Sequence, residues 1–219
     1  MFKLRALLFA TMTVTTSVAM FAQNPIAADS PFQVRYASNL NVGDSVINIS
    51  NTGARGAANQ SGTTANLTGS ICANVYAFSD DEQLVSCCSC PVTPNGLVSL
   101  SVRNDLISNT LTPAVPTSVV VKLLATVPVG GSCNGSAATV SPLTGAAPAL
   151  SNGLVAWGTT LHAGPTGAFG ITETAFTPAT LSTGELNRLG TLCNFIGNNG
   201  SGFGICRSCR LGGLGANKS

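Results

Sequence analysis

Cys72-Ala73-Asn74-Val75-Tyr76-Ala77-Phe78, then Ser79-Asp80-Asp81-Glu82, then Leu84-Val85-Ser86-Cys87-Cys88-Ser89-Cys90 is the stretch on which the fold turns. Two runs rich in β-formers, the first starting at Ile71, flank a cluster of turn-forming residues, which reads as a β-hairpin. Working outward, Pro91 and Pro94-Asn95-Gly96 punctuate the chain before Leu97-Val98-Ser99-Leu100-Ser101-Val102 resumes an extended pattern. Upstream, Phe32, Val34 and Tyr36 alternate with polar neighbours, and Ser45-Val46-Ile47-Asn48-Ile49-Ser50 alternates again before Asn51-Thr52-Gly53. Downstream, Thr117 to Val127 is a long β-branched run that predicts the best-buried strand, and Leu154 to Leu161 and Phe169 to Phe176 are further strand candidates. Residues 54–69 and Gly130 to Pro148, the latter containing Cys133, are small, polar and Gly-rich and read as loops.

One helix interrupts this pattern. Ser182 or Thr183 caps it, Glu185 lies in its first turn, and Leu186, Leu189, Leu192 or Cys193, and Ile196 recur at helical spacing until Gly197 ends it. Short strands with no alternating helices predict an all-β, immunoglobulin-like β-sandwich with one short C-terminal helix packed on it, rather than a parallel α/β sheet. No internal repeat and no linker composition divides the chain, so residues 23–219 read as a single secreted domain.

Residues 1–22 carry a different pattern. Lys3 and Arg5 precede an apolar stretch from Ala6 to Phe21, and small residues at Ser17, Ala19 and Ala22 offer cleavage after Ala19 or Ala22. This is the pattern of a secretory signal peptide. A membrane span needs about 20 apolar residues, whereas Thr11, Thr13, Thr15, Thr16 and Ser17 dilute this run. No later run is long enough either, so no membrane attachment is expected after cleavage, and no Cys before Cys72 is placed to carry a lipid anchor.

Composition narrows the function classes. Charged residues make up 8% and hydrophobic residues 44%, with 24 Gly and 11 Pro, where about 25% charge is usual. The formal charge of +2 comes from Lys3 and Arg5, and without them eight basic side chains face eight acidic ones. Such a chain is neither a coiled coil nor a charge-rich disordered segment. It has no long-range field with which to attract nucleic acid or anionic lipid, and near-zero charge favours self-association.

Eight cysteines, Cys72, Cys87, Cys88, Cys90, Cys133, Cys193, Cys206 and Cys209, all follow the export segment. An even number in an exported chain predicts disulfides and an oxidising destination, extracellular, cell-surface or periplasmic. Cys87, Cys88 and Cys90 are too crowded to pair with one another, so each is expected to reach a distant partner, with Cys193, Cys206 and Cys209 as the candidates. That arrangement staples the C-terminus onto the strand carrying Cys87 to Cys90. The Cys206-Arg207-Ser208-Cys209 spacing also suits zinc or a thioredoxin-type motif. Neither context is present: the chain has one histidine, and Gly212, Gly213 and Gly215 follow where a helix should.

The Cys72 to Phe78 strand, then Asp81-Glu82-Gln83-Leu84-Val85-Ser86-Cys87-Cys88-Ser89-Cys90-Pro91-Val92-Thr93-Pro94-Asn95-Gly96-Leu97, the Glu185 to Cys193 helix and Gly200-Ser201-Gly202-Phe203-Gly204-Ile205-Cys206-Arg207-Ser208-Cys209 resemble a family of secreted, cysteine-rich proteins of Acidobacteria and related environmental bacteria. The resemblance implies secretion and a disulfide framework. It brings no catalytic residue with it.

Catalytic patterns are sparse. His162 would have to serve any Ser-His-Asp or Cys-His arrangement, and an exposed or hydrogen-bonded role fits its surroundings better. Gly200 to Gly204 lacks the lysine of a phosphate-cradling loop and instead suits a tight path beside Cys206. Asp80, Asp81 and Glu82 could form a calcium site or acid pair but read as a solvated hairpin tip, and Trp157 and Tyr76 read as core or sheet residues. No enzyme activity, metal or cofactor is therefore expected. The composition predicts a self-assembling or filament-forming extracellular structural protein, a homo-oligomer or polymer. In one version the segment of about 24–36 adds as a donor strand to a neighbour's sheet edge; in the other it pairs within its own chain. The alternative function is a secreted monomeric binding module for a glycan or surface protein, using loops 54–69 and 130–148.

Overall fold

The computed structural model describes residues 30–57, 69–129, 132–133 and 150–209. Residues 1–22, whose sequence has the pattern of a signal peptide, lie outside the described residues. In chain order the elements are β1 (Phe32–Ala37), β2 (Val46–Asn51), β3 (Ile71–Phe78), β4 (Leu84–Val92), β5 (Leu97–Ser101), β6 (Val119–Thr126), β7 (Leu154–Ala163), β8 (Phe169–Ala175), β9 (Thr177–Pro178) and helix α1 (Thr183–Asn198). The strands form a five-stranded sheet ordered β4-β3-β6-β1-β9 and a four-stranded sheet ordered β5-β2-β7-β8. All strand pairs in both sheets are antiparallel.

The result is a disulfide-stapled all-β sandwich. Its centre is immunoglobulin-like: β2 pairs with β5 in one sheet and β3 with β6 in the other, as strands B and E, and C and F, do in that fold. The periphery differs, because β1 lies beside β6 and β7 beside β2.

Two apolar layers hold the molecule together. Between the sheets, Ile47, Ile49, Leu100 and Leu154 meet Val75, Val121 and Leu123 in one buried cluster. On the far side of the five-stranded sheet, Phe32, Tyr76, Phe78 and Leu124 meet Leu186, Leu189, Cys193 and Ile196 of α1. β3 is consequently buried at every position, one face to each layer. Ser182 is the helix cap, its Oγ accepting a hydrogen bond from Glu185 N at 3.1 Å. Lys122 Nζ and Glu185 Oε1, 2.5 Å apart, tie the first turn to β6. Gly197 does not end the helix; α1 continues to Asn198, and the left-handed residue that turns the chain is Gly200, at φ 72°.

β1 forms on the alternating run its sequence marks, and side chains of both its faces are buried. Phe32 and Val34 pack toward α1, but Tyr36 on the same face is 59% exposed. The opposite face, Gln33, Arg35 and Ala37, is the one buried against the four-stranded sheet. The strand pairs with β6 over its whole length, from Phe32 opposite Leu124 to Ala37 opposite Val119, and touches β9 through Gln33 and Val34. Of the two roles open to the 24–36 segment, residues 32–36 thus take the internal one, and 24–29 lie outside the described residues.

Four disulfides close the framework: Cys72–Cys133, Cys87–Cys193, Cys88–Cys206 and Cys90–Cys209. Cys87 points to the helix layer while its neighbour Cys88 and then Cys90 point between the sheets, which is how adjacent cysteines reach separate partners. Loops of 106, 118 and 119 residues are closed by the three bridges from β4. In the chain-entropy model a closure of that length is worth about 4.7 kcal/mol when made alone. Removing the helix bridge with Cys87→Ala and Cys193→Ala is expected to lower stability by about 2–5 kcal/mol. The check is a fall in the urea midpoint without reductant, the β-sheet circular dichroism being retained before the transition.

Candidate functional site

The C-terminal segment after α1 runs around the edge of β4. Cys87 N donates to Gly204 O at 2.9 Å, and Cys206 N donates to Cys87 O at 3.3 Å. Leu111 N covers a further stretch of the same edge by donating to Val85 O at 2.9 Å. Gly204 fits this path because its φ is 78° and a Cβ there would lie 2.9 Å from Ile196 Cγ2. Asp105, in the single helical turn that follows β5, anchors the end of the segment: Ser208 Oγ donates to Oδ1, and Ser101 N donates to Oδ2 at 2.7 Å. The Asp105 backbone carbonyl accepts from Arg207 N at 3.1 Å. Asp105 is buried, and no sequence motif marks it.

The other candidate groups are scattered. His162 is exposed on β7, its Nε2 2.8 Å from Thr172 Oγ1 on β8. Asp81 is used by its own turn, accepting from Ser79 Oγ and, at 2.8 Å, from Gln83 Nε2. Glu82 sits at φ 64° in that turn, where its carbonyl accepts from Arg188 Nη2 at 3.1 Å. Tyr76 is fully buried, and burial pushes its hydroxyl pKa upward. Trp157 is half-buried on the outer face of the four-stranded sheet, opposite Asn48 and Ala175. The sulfurs of Cys88, Cys90 and Cys209 lie within 4.8 Å of one another, a spacing compatible with thiolate ligation, and each is joined in a disulfide. Loop 54–69, from residue 58 to 68, and loop 130–148, apart from Ser132 and Cys133, lie outside the described residues.

What the structure does assemble is an uneven set of sheet edges. β4 is covered by the C-terminal segment. β5 has five residues, and Asp105 occupies its last outward N–H, that of Ser101, leaving Leu97 and Ser99 outward. β9 is two residues long and ends in Pro178. β8 is different: all seven residues, Phe169-Gly170-Ile171-Thr172-Glu173-Thr174-Ala175, are exposed. Phe169 and Ile171 are 61% and 67% exposed. Natural edges are blunted by lysine, proline, bulges or shortness, and β8 has one charge, Glu173, and none of the other devices. The β7–β8 hairpin also projects, because β2 pairs with β7 only up to Gly158. Beyond that point side chains replace the missing strand: Ser45 Oγ donates to Thr159 O, and Asn39 Nδ2 donates to Leu161 O at 2.9 Å.

Arg35 holds this hairpin to the rest of the sandwich. Its side chain reaches across from β1, donating from Nε to Thr174 Oγ1 at 3.2 Å, from Nη1 to Ser45 Oγ at 3.3 Å and from Nη2 to Thr160 Oγ1 at 2.8 Å. Among the described residues the one ion pair is Lys122–Glu185, so hydroxyls alone serve this guanidinium. Burial without a counter-charge lowers its pKa. Gly158 makes the room: a Cβ there would lie 2.9 Å from Arg35 Cζ. In the sequence Arg35 is one of the polar residues that alternate with Phe32, Val34 and Tyr36, and no local motif marks it.

Against models of known protein families, curated proteins and solved structures, the chain has no match.

Arg35→Met is expected to leave the Thr160, Thr174 and Ser45 hydroxyls without their donor and to lower stability by about 1–3 kcal/mol. Gly158→Ala should act in the same direction by displacing the guanidinium. Amide exchange accelerating first in β7 and β8, with the β3–β6 pair unaffected, is the diagnostic reading.

Proposed function

We propose that the chain is a non-enzymatic, secreted structural protein that self-assembles outside the cell, in oligomers or filaments. The observation that carries this reading is the contrast of edges: β4 is covered, β9 is two residues long, β5 is held by Asp105 at Ser101 alone, and the seven-residue β8 is left exposed along its whole length with two large apolar side chains on it. An unprotected edge is a template for pairing with another chain. Near-zero charge removes the repulsion that would oppose it. Buried disulfides and a pattern of signal-peptide type at residues 1–22 support an oxidising, extracellular destination. Because β1 is already taken up in its own sheet, the open edge rather than residues 32–36 is the feature a neighbour would use.

A monomeric binding module for a glycan or surface protein is the second reading. It is favoured by a groove of about 590 Å³ lined in part by Leu40, Asp44, Arg103, Asn104, Ile107 and Val115. Sedimentation velocity of the mature, unreduced protein separates the two. Species whose mass rises with protein concentration are expected; a monomer at every concentration together with saturable ligand binding would replace assembly with the binding module.

A further inference from the structure

We propose that β8 pairs antiparallel with β8 of a second copy, across a two-fold axis at Thr172, fusing two four-stranded sheets into one. This deepens the self-assembly reading and rests on it.

The hydrogen-bond parity of the hairpin fixes what β8 can offer. Phe176 N donates to Ala156 O at 2.8 Å, and Gly164 N donates to Ala168 O at 2.7 Å. With Gly158 opposite Thr174, Thr160 opposite Thr172 and His162 opposite Gly170, the even-numbered residues of β8 face β7. The N–H and C=O groups of Phe169, Ile171, Glu173 and Ala175 therefore point away from the sheet, and no described backbone group bonds to them. The same four side chains share the outer face with Trp157, Thr159 and Leu161.

The edge is complementary to itself in one register. Centred on Thr172, Ile171 lies opposite Glu173 of the second copy and Phe169 opposite its Ala175, so every outward group on both strands is used. The axis then passes between two threonines, a favourable cross-strand pair. Centring on Ile171 drops Ala175 from the ladder. Centring on Glu173 places two carboxylates directly opposite each other, which is destabilising. A head-to-tail joint with β5 is poorer, because Val102 N donates to Ser45 O, leaving Leu97, Ser99 and Ser101 outward, and Ser101 N is held by Asp105. Two projecting hairpins, each marginal as a lone two-stranded ribbon, become inner strands of a larger sheet.

The test is amide hydrogen exchange by NMR on the mature, disulfide-intact protein at dilute and at high concentration. Expected is concentration-dependent protection of the Phe169, Ile171, Glu173 and Ala175 amides, with Leu97 and Ser99 unchanged. Ile171→Pro removes only an outward N–H, so the hairpin remains and dimerisation is lost. Ile171→Lys, which retains every backbone donor, should abolish it too by charging the edge. Association with the β8 amides unprotected, or with Leu97 and Ser99 protected alongside them, overturns this pairing while leaving assembly standing. Absence of association at any concentration overturns both.

Discussion

The covalent attachment of the C-terminal segment to β4 is the constraint from which the rest of the architecture follows. β4 is an edge strand, and unsealed it would expose one margin of the five-stranded sheet. Cys87–Cys193 fastens α1 over the outer face, and Cys88–Cys206 and Cys90–Cys209 fasten the tail between the sheets. One strand thereby anchors both layers, since Cys206 and Cys209 are part of the inter-sheet core while Cys193 belongs to the helix core. A chain with so few charges has little ionic means of protecting an edge, and here the protection is covalent.

That solution is applied to one side of the sandwich only. At the opposite side the chain leaves the four-stranded sheet through Phe176, makes two residues of β9 against β1, and enters the linker to α1. Nothing among the described residues pairs with β8 beyond β7. The sealed margin and the open margin therefore differ in kind: hydrogen bonds and three bridges on one, an uncovered ladder on the other.

The sequence made the hairpin β3–β4, the runs of β2, β6, β7 and β8 and the capped helix legible, because each carries strong local periodicity or turn chemistry. The stapling of the C-terminus onto Cys87 to Cys90 was legible from crowding, since cysteines that close together cannot serve one another. β1 is legible as a strand from its alternation, but the burial of its polar face is not: Gln33 and Arg35 point inward, where Gln33 Nε2 donates to Leu154 O at 2.7 Å and Arg35 finds three hydroxyls. Alternation locates a strand but not which sheet claims each face when both sides are covered. The roles of Asp105 and Gly158 were invisible for the same reason: each depends on a group distant in sequence, Ser208 for one and Arg35 for the other.

The placement of Arg35 also sets a gradient of stability through the molecule. Toward β3, β6 and α1 the contacts are apolar and continuous, which makes that region the last to open. Toward the tip of the β7–β8 hairpin, the interior becomes Arg35, Ser45, Thr160 and Thr174, a polar set held by hydrogen bonds rather than by apolar burial. Burying the guanidinium without a carboxylate adds a desolvation cost at the same place. The hairpin is thus held toward its tip by polar contacts and also carries the open edge. An element with those two properties gains from a partner strand, since pairing would satisfy its outward groups and order it in a single step.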